Sequence, residues 1–364
     1  MKMMSWSRYH PLPHSLSRAA RAAKLFKIMQ RNRPAYQPAP KFGTEAKHDR
    51  AIACRMTGSR LVQCCLQWRN RGPMLAPQSR FYQSHGLRLH YADWGNEDAP
   101  PLILVHGGRD HCRSWDAIAR SLQPHFHVIA PDLRGHGDSD WTKGGSYALT
   151  EYVYDLAQLV RSIAAPQVTL IGHSMGGMVS LIFSGSFPEQ VTKLVVLDGV
   201  TMLPDAPKPP THERIGKWVS QLDRLHDRTP RRYATLDDAA AQMVLHNKRL
   251  SRDLALHLAT HGARQNEDGT YSWKFDPYQR ASAPHRLWPD DHVALWSRIA
   301  CPTLLLNAGE SFLAGARAAG LERYFQQARV ATIAGAGHWL QHDKPAEVLR
   351  EIRRFLGMAE QGAG

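Results

Sequence analysis

The residues best suited to covalent chemistry lie in the run Leu170-Ile171-Gly172-His173-Ser174-Met175-Gly176-Gly177. This run sits between an apolar stretch of strand character and a helix-like one containing Val179, Leu181, Ile182 and Phe183. A sharp strand-to-helix turn forces its central residue into a strained backbone, and glycine two residues to either side is what avoids collision. The Ser174 hydroxyl is thereby thrust clear of the sheet. It also lies at a helix N-terminus, where free N–H groups and the dipole favour developing negative charge. A hydroxyl is nevertheless a weak nucleophile until a neighbouring base takes its proton. Of the 20 histidines, His338 is the candidate base, because it follows Gly335-Ala336-Gly337 on the loop after the final apolar run. Most of the others read as surface or core residues, and His106 and His173 as supports for their loops.

Such a turn needs a sheet behind it. Arg80 to Gln83 and Leu87 to Trp94 alternate apolar and polar residues about His85-Gly86, as an antiparallel hairpin would. Six short apolar runs follow: Leu102 to Val105, His127 to Ala130, Val168 to Ile171, Leu194 to Leu197, Thr303 to Leu306 and Val330 to Ile333. Runs of this length are expected of strands buried on both faces, hence of a parallel sheet. Thr150 is placed to cap a helix whose Val153, Leu156, Val160 and Ile163 share one stripe, and Val348, Ile352, Phe355 and Leu356 do the same in the last helix. Strands and helices in alternation give a three-layer α/β fold. The core is expected over 79–199 and 299–358. The intervening 200–298 contains Trp218, Trp273, Trp288, Trp296 and a turn at Asp268-Gly269, and reads as a cap inserted over the active edge of the sheet.

With these elements in place, the stretch from about Arg80 to Leu356 resembles the α/β-hydrolase family. Besides the serine elbow it has His106-Gly107-Gly108 directly after a strand, Pro131-Asp132-Leu133-Arg134-Gly135-His136-Gly137-Asp138-Ser139 after the next, and Gly335-Ala336-Gly337-His338 after the last. Four motifs in the family's order are far more specific than any one. The cap-bearing, cofactor-free members are most similar, including the serine-hydrolase-like proteins. The resemblance implies an eight-stranded, mostly parallel sheet and His338 in the triad position. It also implies an oxyanion hole from the backbone N–H groups of Gly108 and Met175. Asp132 and Arg134 are expected to hold their loop, and Arg109, Asp110, His111 and Trp115 could line the pocket, with packing or a local ion pair the favoured reading.

The third triad member departs from the family's pattern. Relatives usually carry Asp a few residues after the strand spelled here Thr303 to Leu306, where this chain reads Asn307-Ala308-Gly309-Glu310-Ser311-Phe312. Two carboxylates could compensate. Asp198 ends the preceding strand, the position from which relatives such as haloalkane dehalogenases supply their acid, and Glu310 lies one residue off the usual slot. The sequence favours Asp198, with Glu310 as the alternative.

The expected activity is esterase-like acyl transfer to water on a small molecule, the aromatic cap suggesting an apolar acyl or alcohol group. Cleavage of a diketone C–C bond or of a thioester would use the same residues, and a non-catalytic ligand-binding scaffold is the rival from another class. Epoxide and haloalkane hydrolysis are disfavoured, because those relatives need Asp where this chain has Ser174. Metal, nucleotide and dinucleotide use have no motif behind them, so no cofactor is expected. The net charge of +14 does not argue for nucleic acid, because residues 1–79 hold 15 Lys/Arg against Glu45 and Asp49, leaving the rest nearly neutral. No stretch has the length of a membrane span. Residues 1–78 read as a basic extension. Ser15 to Gln30 resembles an organellar transit peptide, while the favoured reading makes Met74 the initiator and the protein cytoplasmic.

Overall fold

The computed structural model describes residues 76–143, 147–200, 208–313 and 320–358. Residues 1–75 of the basic extension, with Ser15 to Gln30 and Met74, lie outside the described residues.

Eight strands form one sheet. In chain order they are β1 (Gln78–Ser84), β2 (Leu87–Asp93), β3 (Pro101–Val105), β4 (His127–Pro131), β5 (Val168–His173), β6 (Val191–Leu197), β9 (Thr303–Ala308) and β10 (Ala328–Ile333). Their spatial order is β1-β2-β4-β3-β5-β6-β9-β10. The β1–β2 hairpin and the β2–β4 pair are antiparallel, and the pairs from β4 to β10 are parallel. The hairpin turns through His85 and Gly86, both at positive φ.

Side-chain alternation along each central strand explains the layers. Ile103 and Val105 of β3 enter one core, with Leu194 and Val196 of β6, while Leu102, Leu104, Val195 and Leu197 enter another on the opposite face. The first core is closed by α2 (Leu149–Ser162) and α3 (Met175–Ser186), through residues such as Leu156, Val160 and Phe183. The second is closed by α1 (Asp116–Leu122) and α9 (Pro345–Leu356), through Ile118, Leu122, Val348 and Ile352. Each strand is therefore apolar on both sides, as the short runs require. The two edge strands are the exceptions: β1 buries only Tyr82 and Ser84, and β10 only Ile333.

Thr150 does not cap α2. The helix begins at Leu149 with Ala148 as its cap residue and no side-chain cap bond. Packing of its apolar stripe on the sheet is sufficient to hold the helix, and Glu151 in the first turn favours the dipole without a cap.

Between β6 and β9 come α4 (Thr211–His226), α5 (Leu236–His246), α6 (Arg252–Gly262), the small hairpin β7 (Ala263–Gln265) and β8 (Tyr271–Trp273), and α7 (Pro289–Trp296). Tyr233, Ala239, Ala240, Leu250, Ala255, Leu258 and Ala259 form a separate small core there. The turn at Asp268-Gly269 joins β7 to β8, with Gly269 at φ 81°. Helix α7 instead packs with the sheet, since Trp296 joins the core that contains Phe183 and Phe325. A short α8 (Leu340–Asp343) precedes α9.

Candidate active site

The polar residues of interest sit beyond the carboxyl ends of parallel strands, where open α/β sheets bind their ligands. Ser174 follows β5, Asp198 follows β6, the His106 loop follows β3 and His338 follows β10.

Ser174 has φ 51° and ψ −119°, a conformation that costs a non-glycine residue about 1–3 kcal/mol. The sequence makes this possible by keeping side chains out of the way. A Cβ on Gly172 would lie 2.5 Å from the Gly176 carbonyl oxygen, and one on Gly176 would lie 2.3 Å from that of Val105. The Ser174 N–H is held by the Leu197 carbonyl at 2.9 Å, which ties the turn to the neighbouring strand.

Ser174 Oγ lies 2.9 Å from His338 Nε2, and His338 Nδ1 lies 2.7 Å from Asp198 Oδ2. A carboxylate can only accept, so the proton sits on Nδ1 and leaves Nε2 free to accept the serine hydroxyl. Ser311 Oγ donates to the same Asp198 oxygen at 2.6 Å, and the Ala308 N–H to the other at 3.3 Å. Asp198 is itself at positive φ, 44°, and both it and His338 are buried. Glu310 is elsewhere: its carboxylate pairs with Arg249 and is 57% exposed. Ser311 thus occupies the slot where relatives carry the acid, and the carboxylate it touches comes from β6.

The surrounding histidines hold loops. His173 Nε2 donates to the His338 carbonyl at 2.9 Å, and burial pushes its pKa well below the usual range. His106 donates from Nδ1 to the Gly107 carbonyl at 2.7 Å and accepts the Leu133 N–H at Nε2, 3.0 Å. Burial and, next, the charge of His136 lower the His106 pKa to about 3. His136 accepts the Arg109 N–H at 3.0 Å. Two neutral imidazoles therefore staple the His-Gly-Gly loop to the loop after β4. Asp132, at the start of the latter, ties it to the β3–α1 connection by accepting from the Cys112 N–H and closes its own loop by accepting from the Asp138 N–H. Arg134 forms a buried fork on Asp155 and also pairs with Glu151.

Gly108 lies against this site, 3.8 Å separating its would-be Cβ from Met175 Sδ. Met175 opens α3, so its N–H is among the first-turn donors that lack an intrahelical acceptor. Trp115 is fully buried packing and His111 Nε2 donates to the Leu258 carbonyl at 3.0 Å. Arg109 and Asp110, in contrast, line a cavity.

That cavity has a volume of about 1210 Å³ and is bounded by the β3–α1 and α4–α5 connections, α5, the β8 region, Phe312 and Trp339. Ser174 and His338 are not among its lining residues; it meets the site through Gly108, Phe312 and Trp339. The Phe312 and Trp339 rings lie 4.6 and 5.3 Å from the His338 ring. Of the four tryptophans of the insertion, only Trp273 lines the cavity. The aromatic composition of this segment is therefore mostly used elsewhere, Trp296 in the sheet core being the clearest case.

One group of described residues brings potential metal ligands together, His90, Cys112 and Asp132. Their atoms are already engaged. His90 Nδ1 bonds Asp132 Oδ2 at 2.7 Å and its Nε2 meets Ser79 Oγ at 2.9 Å. Burial works to raise the Asp132 pKa, but the His90 bond and charge outweigh it and hold the carboxyl low. The trio reads as a buried hydrogen-bonded knot beneath the loop. No helix among the described residues is long and apolar enough to cross a membrane.

A sheet of this order, with a serine elbow after its fifth strand and the partner residues at neighbouring strand ends, is the scaffold of α/β hydrolases. A family model described as alpha/beta hydrolase fold matches residues 100–345. The chain belongs to the α/β-hydrolase family. It is similar to the sn-1-specific diacylglycerol lipase ABHD11 of Mus musculus, 25% identical over 270 residues, which are 72% of this chain and 82% of the relative. Similarity to epoxide hydrolase 3 of Xenopus tropicalis is 28% over 293 residues, 74% and 75% of the two chains. The crystal structure of a hypothetical protein from Pseudomonas aeruginosa PAO1 superposes with a TM-score of 0.69 at 26% identity, covering 77% of this chain and 99% of that one. Against uncharacterized mycobacterial relatives the match is 35% over 127 residues and spans 36% of their length.

Proposed function

We propose that this hydrolase is a serine esterase working through an acyl-enzyme. The observation that carries the reading is the continuous relay from Ser174 Oγ through His338 to Asp198, at 2.9 and 2.7 Å. Ser174 attacks the ester carbonyl as its proton passes to His338 Nε2. Asp198 keeps the imidazole in the required tautomer and stabilises the cation that forms. The oxyanion is met by the N–H groups of Met175 and Gly108, fixed donors aimed where charge develops. Collapse expels the alcohol, which takes the proton from His338. Water then gives its proton to the same nitrogen and releases the acid and free Ser174. Helices α4, α5 and α6 act as a cap that forms one wall of the substrate cavity.

The named relatives include both a lipase and an epoxide hydrolase, and Ser174 supports the former reading. Epoxide opening in this family needs a carboxylate at the elbow, whereas a serine suits acyl transfer. The test is fluorophosphonate labelling of the full chain with mass-spectrometric mapping, beside p-nitrophenyl esters of graded chain length. A single adduct on Ser174, lost in Ser174→Ala together with ester turnover, is the expected outcome. Absence of both label and turnover would return the protein to the non-catalytic scaffold class.

A further inference from the structure

Six arginines line the cavity: Arg109, Arg228, Arg231, Arg232, Arg264 and Arg280. Among the described residues only two carboxylates share it, Asp110 and Asp276. Neither balances the guanidinium groups. Asp276 accepts the Tyr147 hydroxyl at 2.5 Å and the Tyr278 N–H at 2.9 Å. Asp110 accepts the His111 N–H at 2.9 Å, and burial pushes its pKa up to about 7, so near neutrality much of its charge is absent.

Most of these arginines are positioned without being neutralised. Arg232 pairs with Asp268 at 2.5 Å. Arg231 lies 5.4 Å from the Tyr233 ring, Arg264 5.0 Å from Trp141 and Arg280 5.9 Å from Phe275. An aromatic face orients a guanidinium and leaves its in-plane N–H fork free for an anion. Arg109, Arg228 and Arg280 have no carboxylate partner among the described residues. They also feel one another: after burial, the charges of Arg109 and Arg228 are what lower the pKa of Arg280. General basicity does not account for the concentration, since the chain beyond residue 79 is nearly neutral.

A cluster of like charges that repel one another on a concave wall is relieved by a bound anion, and a neutral ligand gives no such relief. Arg109 directly follows Gly108, with consecutive Cα atoms about 3.8 Å apart. One member of the cluster therefore adjoins the proposed oxyanion loop, and the others line the same cavity. We propose that the cavity selects substrates that carry an anionic group, a carboxylate or a phosphate, a short chain away from the cleaved bond. This rests on the esterase reading for which bond is cleaved, but the arginine site can be tested apart from it.

Mono-(p-nitrophenyl) adipate and p-nitrophenyl hexanoate have acyl chains of equal length and differ by a terminal carboxylate. For the full chain, kcat/KM is expected to favour the anionic ester by about tenfold or more, the scale of one charged hydrogen-bonded contact. The preference should shrink at high salt. In the double variant Arg228→Met/Arg280→Met, both surface positions, the ratio of the two values should fall to about one. A 6-phosphooxyhexanoate ester decides between carboxylate and phosphate, and a preference for either supports the proposal. Calorimetric titration of Ser174→Ala with adipate, against adipamide, reads binding without turnover. If no ester is cleaved but adipate binds and the arginine substitutions abolish it, the anion site stands and the esterase reading falls. Equal hydrolysis of the charged and neutral esters, with no arginine-dependent adipate binding, overturns the proposal.

Discussion

Asp198 approaches His338 from the end of β6, one strand before the position that relatives usually use. The two strand ends are neighbours in space: Leu197 of β6 is in register with Leu306 of β9, so Asp198 stands beside the start of the loop that holds Ser311. Ser311 then becomes a donor to the carboxylate. On this geometry, Asp198→Asn should leave the fold intact yet lower ester turnover by roughly 10⁴-fold, as expected when an amide imposes the wrong tautomer. Glu310→Gln should cost little, because its pair with Arg249 is exposed and such pairs are worth about 0–1 kcal/mol. Ester kinetics with melting curves for both variants check this, and an inactive, well-folded Glu310→Gln would reverse the assignment. Sequence spacing narrowed the acid to two residues and favoured Asp198 over Glu310, but could not show which of them reaches His338. Distance along the chain does not reveal which strand ends lie side by side, whereas the register of β6 on β9 does.

The elements were more legible than their edges. Four-residue apolar runs and the Gly172/Gly176 pair are local consequences of a buried strand meeting a helix, so the central strands and the elbow could be read directly. The start of α2 could not, because tertiary packing replaced the expected Thr150 cap, and the cavity's arginines are scattered between positions 109 and 280 with no local pattern. The elbow also makes a prediction about close approach. In Gly176→Ala the new methyl would lie 2.3 and 2.4 Å from the Val105 and His106 carbonyl oxygens, backbone atoms of a buried strand end that cannot step aside. Destabilisation of about 3 kcal/mol or more is expected, at or beyond the upper end of ordinary overpacking. Gly216, within α4, has nothing within 4 Å of a would-be Cβ. Gly216→Ala should therefore stabilise by about 0.5–1 kcal/mol through helix propensity and a less flexible unfolded chain. Urea denaturation of the pair checks both signs, and equal effects would show that the elbow is looser than its contacts imply.

At the scale of the whole molecule, the loops at the carboxyl edge are assembled around neutral imidazoles, which makes the fold sensitive to acid. Burial lowers His106 to about 3 and His111 and His342 to about 4, and it lowers His136 and His173 as well. An unfolded histidine takes up its proton near pH 6.5. Between that pH and each folded value, the unfolded chain binds protons that the native one does not, so stability rises with pH and is lost on acidification. Each such group contributes up to about 1.4 kcal/mol per pH unit within its window. Asp132, held low, adds to the loss at the acid end, since its stabilising ionised form disappears as pH falls. Asp110 acts in the opposite sense. Its folded pKa of about 7 lies above the ordinary 3.8, so the native state holds an extra proton across that range and loses stability as pH rises through it. Burial raises the Asp155 carboxyl as well, in the same sense as Asp110. Two carboxyls against five histidines leave a net decline toward acid. The urea midpoint of the full chain should fall steadily from pH 7 to pH 4, with net proton uptake on unfolding near pH 5. His342→Gln should make that slope shallower by about one proton. A midpoint constant across this range would mean that the buried imidazoles are solvated enough to titrate in the native state, and the neutral staples between the loops would have to be abandoned.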